Sequence, residues 1–413
     1  MSTTAPRSLP GIDLTDADLY TQNRAHDAWR RLRAEAPVSW NPGAAWFPGF
    51  WSVTTHADVL TVSRDPATFI SSRGITMATD PNTPPEESGA NIMLITTDPP
   101  RHVRMRRLVN KGFTPRMVAL LEPGIRETTR RILDAVAAQG ACDFVTEVAA
   151  QLPLAVICTM LGAPPEDWPR LFALTNQVLG PGDPEYQTEG RGQRETARHG
   201  QQEMFAYFAR QIAERRREGR DDLVTLLIGA EIDGEALTEP EILFFCHLLV
   251  LAGNETTRNA ISGGLLALLE NPGELERLRA EPALMPKAVE EILRWTSPIA
   301  HMARTATRDV ELGGQLIREG ERVLMWYPSA NRDEAVFADP YRFDVGRTPN
   351  EHLAFGLGEH FCLGTGLARL EIRVLFESVL ARLTDIALAG EVERLRSTFL
   401  TGIKHLPIRF TAA

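Results

Sequence analysis

The sequence predicts a mainly α-helical protein with small β-sheets, folded as one domain over residues 1–413. Three observations predict it. Most long segments repeat their apolar residues at the helical spacing. One helical pattern, 238–270, runs far longer than an ordinary helix and begins at a complete capping signal. The β-like pieces are few, short and mostly gathered after residue 305. A chain of 413 residues could hold two domains, but no linker, internal repeat or low-complexity tract divides it.

Taken in order, "AHDAWRRLRAEAP" is an amphipathic helix stopped by Pro37, and "WFPGFWSVTTHADVLTVSRDP" reads as a short strand pair followed by a helix. Residues 71–95 are rich in Gly, Pro, Ser and Thr and predict a long functional or mobile loop. "DPPRHVRMRRLVNKGFTP" starts a basic helix with Pro99 and Pro100 before it. Helical patterns follow at 117–138 and 144–161, and residues 180–193 predict a second mobile loop. At "TEPEILFF", Thr238 and Glu241 form the capping box and Pro240 sits in the first turn. This 238–270 helix would be about 50 Å long, enough to cross a domain, yet it carries the polar run "GNETTRN" in its middle. "VELGGQLI" and "RVLMWYP" are the β-like pieces, and a closing helix is expected at 366–383.

A net charge of −10 argues against non-specific nucleic-acid binding and against docking on an anionic membrane. The N-terminal twenty residues carry acids and no apolar core, so neither a signal peptide nor an anchor is read there. The longest apolar stretch, around Cys246, is too short to span a bilayer. Cys142, Cys158 and Cys246 sit in apolar surroundings as buried free thiols, with no CxxC pair. A reduced, cytoplasmic chain is expected.

The fourth cysteine is different. "FGLGEHFCLG", residues 355–364, hangs Cys362 in a glycine-rich loop just ahead of an amphipathic helix. Free N–H groups and a positive helix end would lower its pKa. Gly356 and Gly358 would let the backbone turn tightly and leave room for a flat group. These are the needs of a thiolate metal ligand. A buried structural cysteine is the bland alternative, and a nucleophilic cysteine with His360 as base is a second one.

Phe355, Gly358, His360, Cys362 and Gly364 match F-x-x-G-x-H-x-C-x-G, and in this the chain resembles the cytochrome P450 family. "EILR" resembles the family's E-x-x-R at Glu291 and Arg294, and "DPYRF" supplies Arg342 as the arginine that would complete this core network. "AGNET" resembles the distal-helix motif at Ala252, Gly253, Glu255 and Thr256. "DPPRHVRMRR" matches the histidine and arginine that hold haem propionates, at His102 and Arg106. Alone, each motif has a plainer reading: a surface ion pair, a solvated histidine, an exposed helix turn. The matches run in family order along nearly the whole chain.

The resemblance implies a P450 fold with a long central distal helix and a cysteine loop preceding a proximal helix. It implies haem b as cofactor, Cys362 as iron ligand, and His102, Arg106, Arg304 and His360 as propionate partners. Phe355, Gly364 and Ala252 would also touch haem. Thr256 would hold the water that protonates bound oxygen, its hydroxyl bonded to the carbonyl of residue 252, and Glu255 would relay protons from outside. Ile92, Met93, Val178, Leu179, Leu248, Ile299 and Leu400, with Ala252, would wall the substrate pocket. No cation is expected to face this set, so a lipophilic, largely neutral small molecule fits.

"AGNETTRNAISGG", "MWYPSANRDE" and "LRSTFLTGIKHLPIRF" are similar to the bacterial branch that hydroxylates steroid side chains, methyl-branched lipids and terpenoid alcohols. The chain ends about fifty residues after Cys362 with no redox module in view, so O2 chemistry would draw electrons from a separate ferredoxin and ferredoxin reductase. Arg101, Arg104, Arg107 and Lys111 offer that acidic partner a basic face. The expected state is a monomer. Rival readings are a biosynthetic oxidase making an epoxide, a desaturation or a coupling, and a non-catalytic binder of haem or a lipophile.

Overall fold

The computed structural model describes residues 7–43, 49–80, 83–232 and 234–412. Residues 1–6 of the N-terminal stretch, 46–48 of the expected strand pair and 81–82 of the first loop lie outside them. The fold is mainly helical. Its axis is the helix Glu239–Glu270, which starts as the capping box requires. The Thr238 N–H donates to the Glu241 carboxylate at 2.8 Å, and the Glu241 N–H donates back to the Thr238 hydroxyl at 3.4 Å. With 32 residues it extends about 48 Å.

This helix is apolar almost all round because it is packed almost all round. Toward its end, Ala260, Ile261 and Leu265 pack with Ile292 of helix Met285–Thr296 and Phe376 of helix Thr365–Arg382. Toward its start, Phe245, Cys246 and Val250 pack with Leu154, Met204 and Phe208. Gly264 permits a close approach: a Cβ there would lie 2.7 Å from the Ile292 side chain.

A five-stranded sheet lies beside the helices, in the order Val38–Asn41, Phe50–Val53, Arg322–Trp326, His301–Ala306, Phe69–Ile70. Phe50–Val53 and Arg322–Trp326 run parallel and the other pairs antiparallel. The expected strand pair is therefore shifted. Among the described residues, only strand Phe50–Val53 falls inside "WFPGFWSV", and its antiparallel partner lies upstream, with Trp40 opposite Trp51. The closing helix spans Thr365–Arg382, and strand Leu383–Leu388 follows it directly into a three-stranded sheet.

The two expected loops are less free than their composition suggests. Short turns at Pro85–Ser88 and Leu94–Thr96 interrupt the first. The second carries no helix or strand at 180–192, but Asp183 anchors it. That carboxylate is buried, accepts the Arg396 N–H at 2.9 Å and pairs with Lys404 at 3.2 Å.

Glu291 and Arg294 are fully buried and joined by two hydrogen bonds of 2.7 Å. Arg342 does not complete this pair. Phe343 and Val345 take the core-facing positions, so the Arg342 side chain points out, 64% exposed and 3.9 Å from Glu274. A turn at Asp344 then brings Arg347 inward, and its Nε lies 3.1 Å from Glu291 Oε2. Only the carbonyl of Arg342 joins the network, accepting from Arg347 at 2.7 Å.

Candidate functional site

One cavity of about 1590 Å³ lies between the middle of the long helix and the cysteine loop. Cys362 lines it, half-buried. Its N–H donates to the Phe355 carbonyl at 2.9 Å, closing the loop, and its carbonyl accepts from the Thr365 hydroxyl at 2.7 Å. Gly358 makes the loop possible. Its φ is +75°, and a Cβ there would stand 2.3 Å from the Ser63 carbonyl oxygen. Phe355 is held by the Arg369 guanidinium, 4.7 Å from its ring centre, and Arg369 is itself fixed by two bonds to Glu290. The thiol pKa is not depressed as expected. Burial pushes it up, against the Gly364 N–H and the Arg106 and Arg369 charges, which pull it down. A helix end alone does not outweigh desolvation of a thiolate.

The four expected propionate partners come together at one end of this cavity. His102 and Arg106 stand one turn apart on helix Arg101–Asn110, Arg304 comes from the sheet and His360 from the cysteine loop. The His102 and His360 rings are 4.2 Å apart. Arg106 donates to the Glu359 carbonyl at 3.3 Å, and Arg304 to the Ala303 carbonyl at 2.7 Å. His360 Nε2 lies 3.1 Å from the Ser71 hydroxyl. Asp98 accepts the N–H groups of Ser71 and Ser72 at 2.7 and 3.2 Å. Neither Ser71 nor Asp98 was expected, although Asp98 opens the quoted "DPPRH".

Like charges and burial make this cluster expensive as it stands. Burial first, then Arg106, lowers His102 to about 4. Burial, then Arg304, His102 and Arg106, lowers His360 to about 2. Burial also lowers Arg106 and Arg304. His102 Nδ1 is buried with no partner among the described residues. Two guanidinium groups and two imidazole donors around a void, one nitrogen orphaned, suit a doubly anionic group. With a thiol in the same cavity, the donor set fits the iron and propionates of haem.

On the cavity's other side the long helix presents Leu248, Ala252, Gly253 and Thr256. The Thr256 hydroxyl donates to the Ala252 carbonyl at 2.8 Å. Glu255 is not open to the outside. It is buried beside Arg258, whose guanidinium lies 2.5 Å from Oε2 and also donates to Asn176 at 3.1 Å. Its Oε1 has no partner among the described residues, and burial raises its pKa against the pull of Arg258. A carboxylate one helical turn from an arginine closes on it when no water competes.

Met93, Val178, Leu179, Leu248, Ala252, Ile299 and Leu400 all line the cavity. Ile92 does not; its N–H is bonded to Gly89 in a turn that gives the wall to Met93. Cations do line the cavity, at its mouth: Arg73, Arg194, Arg198 and Arg396. Arg198 pairs with Glu87 and Arg396 with Asp18, each at 2.7 Å. Of the expected basic face, Arg104, Arg107 and Lys111 are exposed, whereas Arg101 is tied to the buried Glu241.

The sequence model described as Cytochrome P450 matches residues 190–393. A methyl-branched lipid omega-hydroxylase of Mycobacterium tuberculosis is 41% identical, over 99% of this chain and 97% of that protein. A steroid C26-monooxygenase of Rhodococcus jostii is 40% identical, over 99% of this chain and 87% of that protein. A Mycobacterium marinum cytochrome P450 solved in complex with pseudoionone superposes with a TM-score of 0.92 at 37% identity, covering 98% of this chain and 100% of that one. Among the described residues, no helix is long and apolar enough to cross a membrane.

Proposed function

Since this chain belongs to the cytochrome P450 family and is one of its haem b monooxygenases, we propose that its substrate is a lipophile resembling a steroid, terpenoid or branched lipid. We further propose that a separate ferredoxin and its reductase supply the electrons. One observation carries the reading: Cys362 and the His102–Arg106–Arg304–His360 cluster border the same cavity as an apolar wall and Thr256. The two similar enzymes are named for lipid and steroid oxidation.

Haem b supplies the oxygen chemistry, taking two electrons and two protons so that one atom of O2 enters substrate and the other leaves as water. Cys362 Sγ would hold the iron, and the Gly364 N–H beside it would limit the negative charge on sulfur. Arg106 and Arg304 would meet the propionates as charges, and His102 and His360 as further N–H donors. Thr256 already donates to Ala252, so its oxygen is left to accept a proton donor such as water. Glu255 acts as a buried proton store and must part from Arg258 to hand a proton on. An intact Glu255–Thr256 pair favours this over a non-catalytic binder, and product analysis separates hydroxylation from epoxidation, desaturation or coupling.

Thr256→Ala removes that oxygen without removing a haem contact, and Ala is the better helix former. Haem content and substrate affinity should stay near wild type. Product per O2 consumed should fall about tenfold, and hydrogen peroxide should rise to match. Product, peroxide and O2 measured in one assay check this, and tight coupling in the variant would remove Thr256 from proton delivery.

Reversing the charge of Arg104, Arg107 and Lys111 should slow reduction by ferredoxin about tenfold at low salt and flatten its salt dependence. Turnover driven by peroxide should not change. An unaltered reduction rate would leave these residues as a solvated face.

A further inference from the structure

Two histidines line the cavity away from the propionate cluster, and they are engaged differently. His301 is satisfied at both nitrogens, accepting from Met77 N–H at 2.9 Å and bonded to the Thr398 carbonyl at 3.1 Å. It belongs to the framework. His247, on the long helix, is also buried, only 3% exposed. Its Nδ1 faces the Met204 sulfur at 3.2 Å, and the rings of Phe205 and Phe244 stand edge-on to it. No other polar partner of this ring is found among the described residues. A thioether is a weak acceptor, so Met204 neither satisfies the ring nor fixes its tautomer.

We infer that His247 is a specificity residue, whose Nε2 hydrogen-bonds a neutral oxygen, a ketone or an alcohol, on a lipophile bound in this cavity. The inference rests on the reading of the cavity as a lipophile's site and adds one polar requirement to it. His247 Nε2 has no partner among the described residues and is not sealed off but opens to the cavity, so a hydrocarbon that fills the cavity leaves it unpaired where an oxygenated ligand does not. Burial lowers this imidazole to about 4, so it meets ligand as a neutral donor or acceptor and prefers no carboxylate. With Nδ1–H on sulfur, Nε2 accepts from a hydroxyl; with the proton on Nε2, it donates to a carbonyl. Neighbours on the wall, Phe245, Leu248 and Leu251, are apolar and cannot substitute for it.

Thr256 lies nine positions after His247, about 13 Å along the helix axis. The oxygen is thus recognised well away from the residue proposed to deliver protons. His247 positions substrate and takes no part in the chemical step, so its loss should act on affinity and leave the limiting rate alone.

The test uses holoenzyme and matched ligands: cholest-4-en-3-one against cholest-4-ene, and pseudoionone against the hydrocarbon lacking its oxygen. Dissociation constants are read from the ferric haem spectrum and, independently, by equilibrium dialysis. The wild type should bind at least one ketone about tenfold more tightly than its hydrocarbon. His247→Leu should keep haem content, melting temperature and hydrocarbon affinity but lose the preference. His247→Gln, which retains a neutral amide, should recover part of it. A preference unchanged in His247→Leu, or absent from the wild type, overturns the assignment. If no member of the panel binds at all, the reading of the cavity itself falls with it.

Discussion

Cys362→Ala is expected to lose the thiolate-type spectrum of the reduced, carbon monoxide-bound protein and to lower product formation by more than about a hundredfold, the scale on which mere neighbours of a metal ligand act. The loop should survive the change. The Cys362 N–H bond to Phe355 and the Thr365 bond to the Cys362 carbonyl are independent of the sulfur. Alanine also accepts the backbone that cysteine holds. Circular dichroism should therefore match the wild type while oxygenation disappears. Cys142→Ala, Cys158→Ala and Cys246→Ala serve as controls, because those thiols are buried away from the cavity. A thiolate-type spectrum retained in Cys362→Ala would show that the ligand has been misassigned.

Arg347→Ala is expected to destabilise the fold by about 2–3 kcal/mol, because it removes one of the two arginines that hold a buried carboxylate. Glu291 is fully buried, and Arg347 holds both of its oxygens, at 3.2 and 3.1 Å. Arg294 would remain, but one arginine then serves Glu291 along with the carbonyls of Asn331 and Pro340. Arg342→Ala should change stability by less than about 0.5 kcal/mol, since its side chain is largely in solvent. Denaturant unfolding of the two variants side by side gives the answer. Equal losses would mean that Arg342 belongs to the network after all.

Local signals were legible in the sequence and long-range ones mostly were not. The capping box at Thr238 fixes a helix start through residues three apart, so its geometry could be read directly. The placement of Cys362 ahead of a helix is equally local, and glycines at 356 and 358 announce their positive φ. Arg347 escaped because its role depends on a turn at Asp344 and on which neighbours the core claims, not on the motif holding Arg342. The partner of strand Phe50–Val53 lies across a connection that carries no periodicity. Glu255 was expected to relay protons from outside; what closes it off from outside is Arg258 together with Asn176, 82 residues upstream of that arginine. The Cys362 thiol was expected low because only the helix end was visible, whereas burial comes from the whole cavity. Ile92 and Met93 could not be told apart without the turn that orients them.

The most direct measurement is the fate of labelled oxygen. Reconstituted with haem b, ferredoxin and reductase, the protein should turn over a lipophile that shifts its ferric haem spectrum. Run under 18O2 in ordinary water, the product should carry one 18O atom per molecule, with one two-electron donor consumed per product. Run under ordinary O2 in H2 18O, it should carry none. Product labelled from water, or formed without any label from O2, would contradict the account.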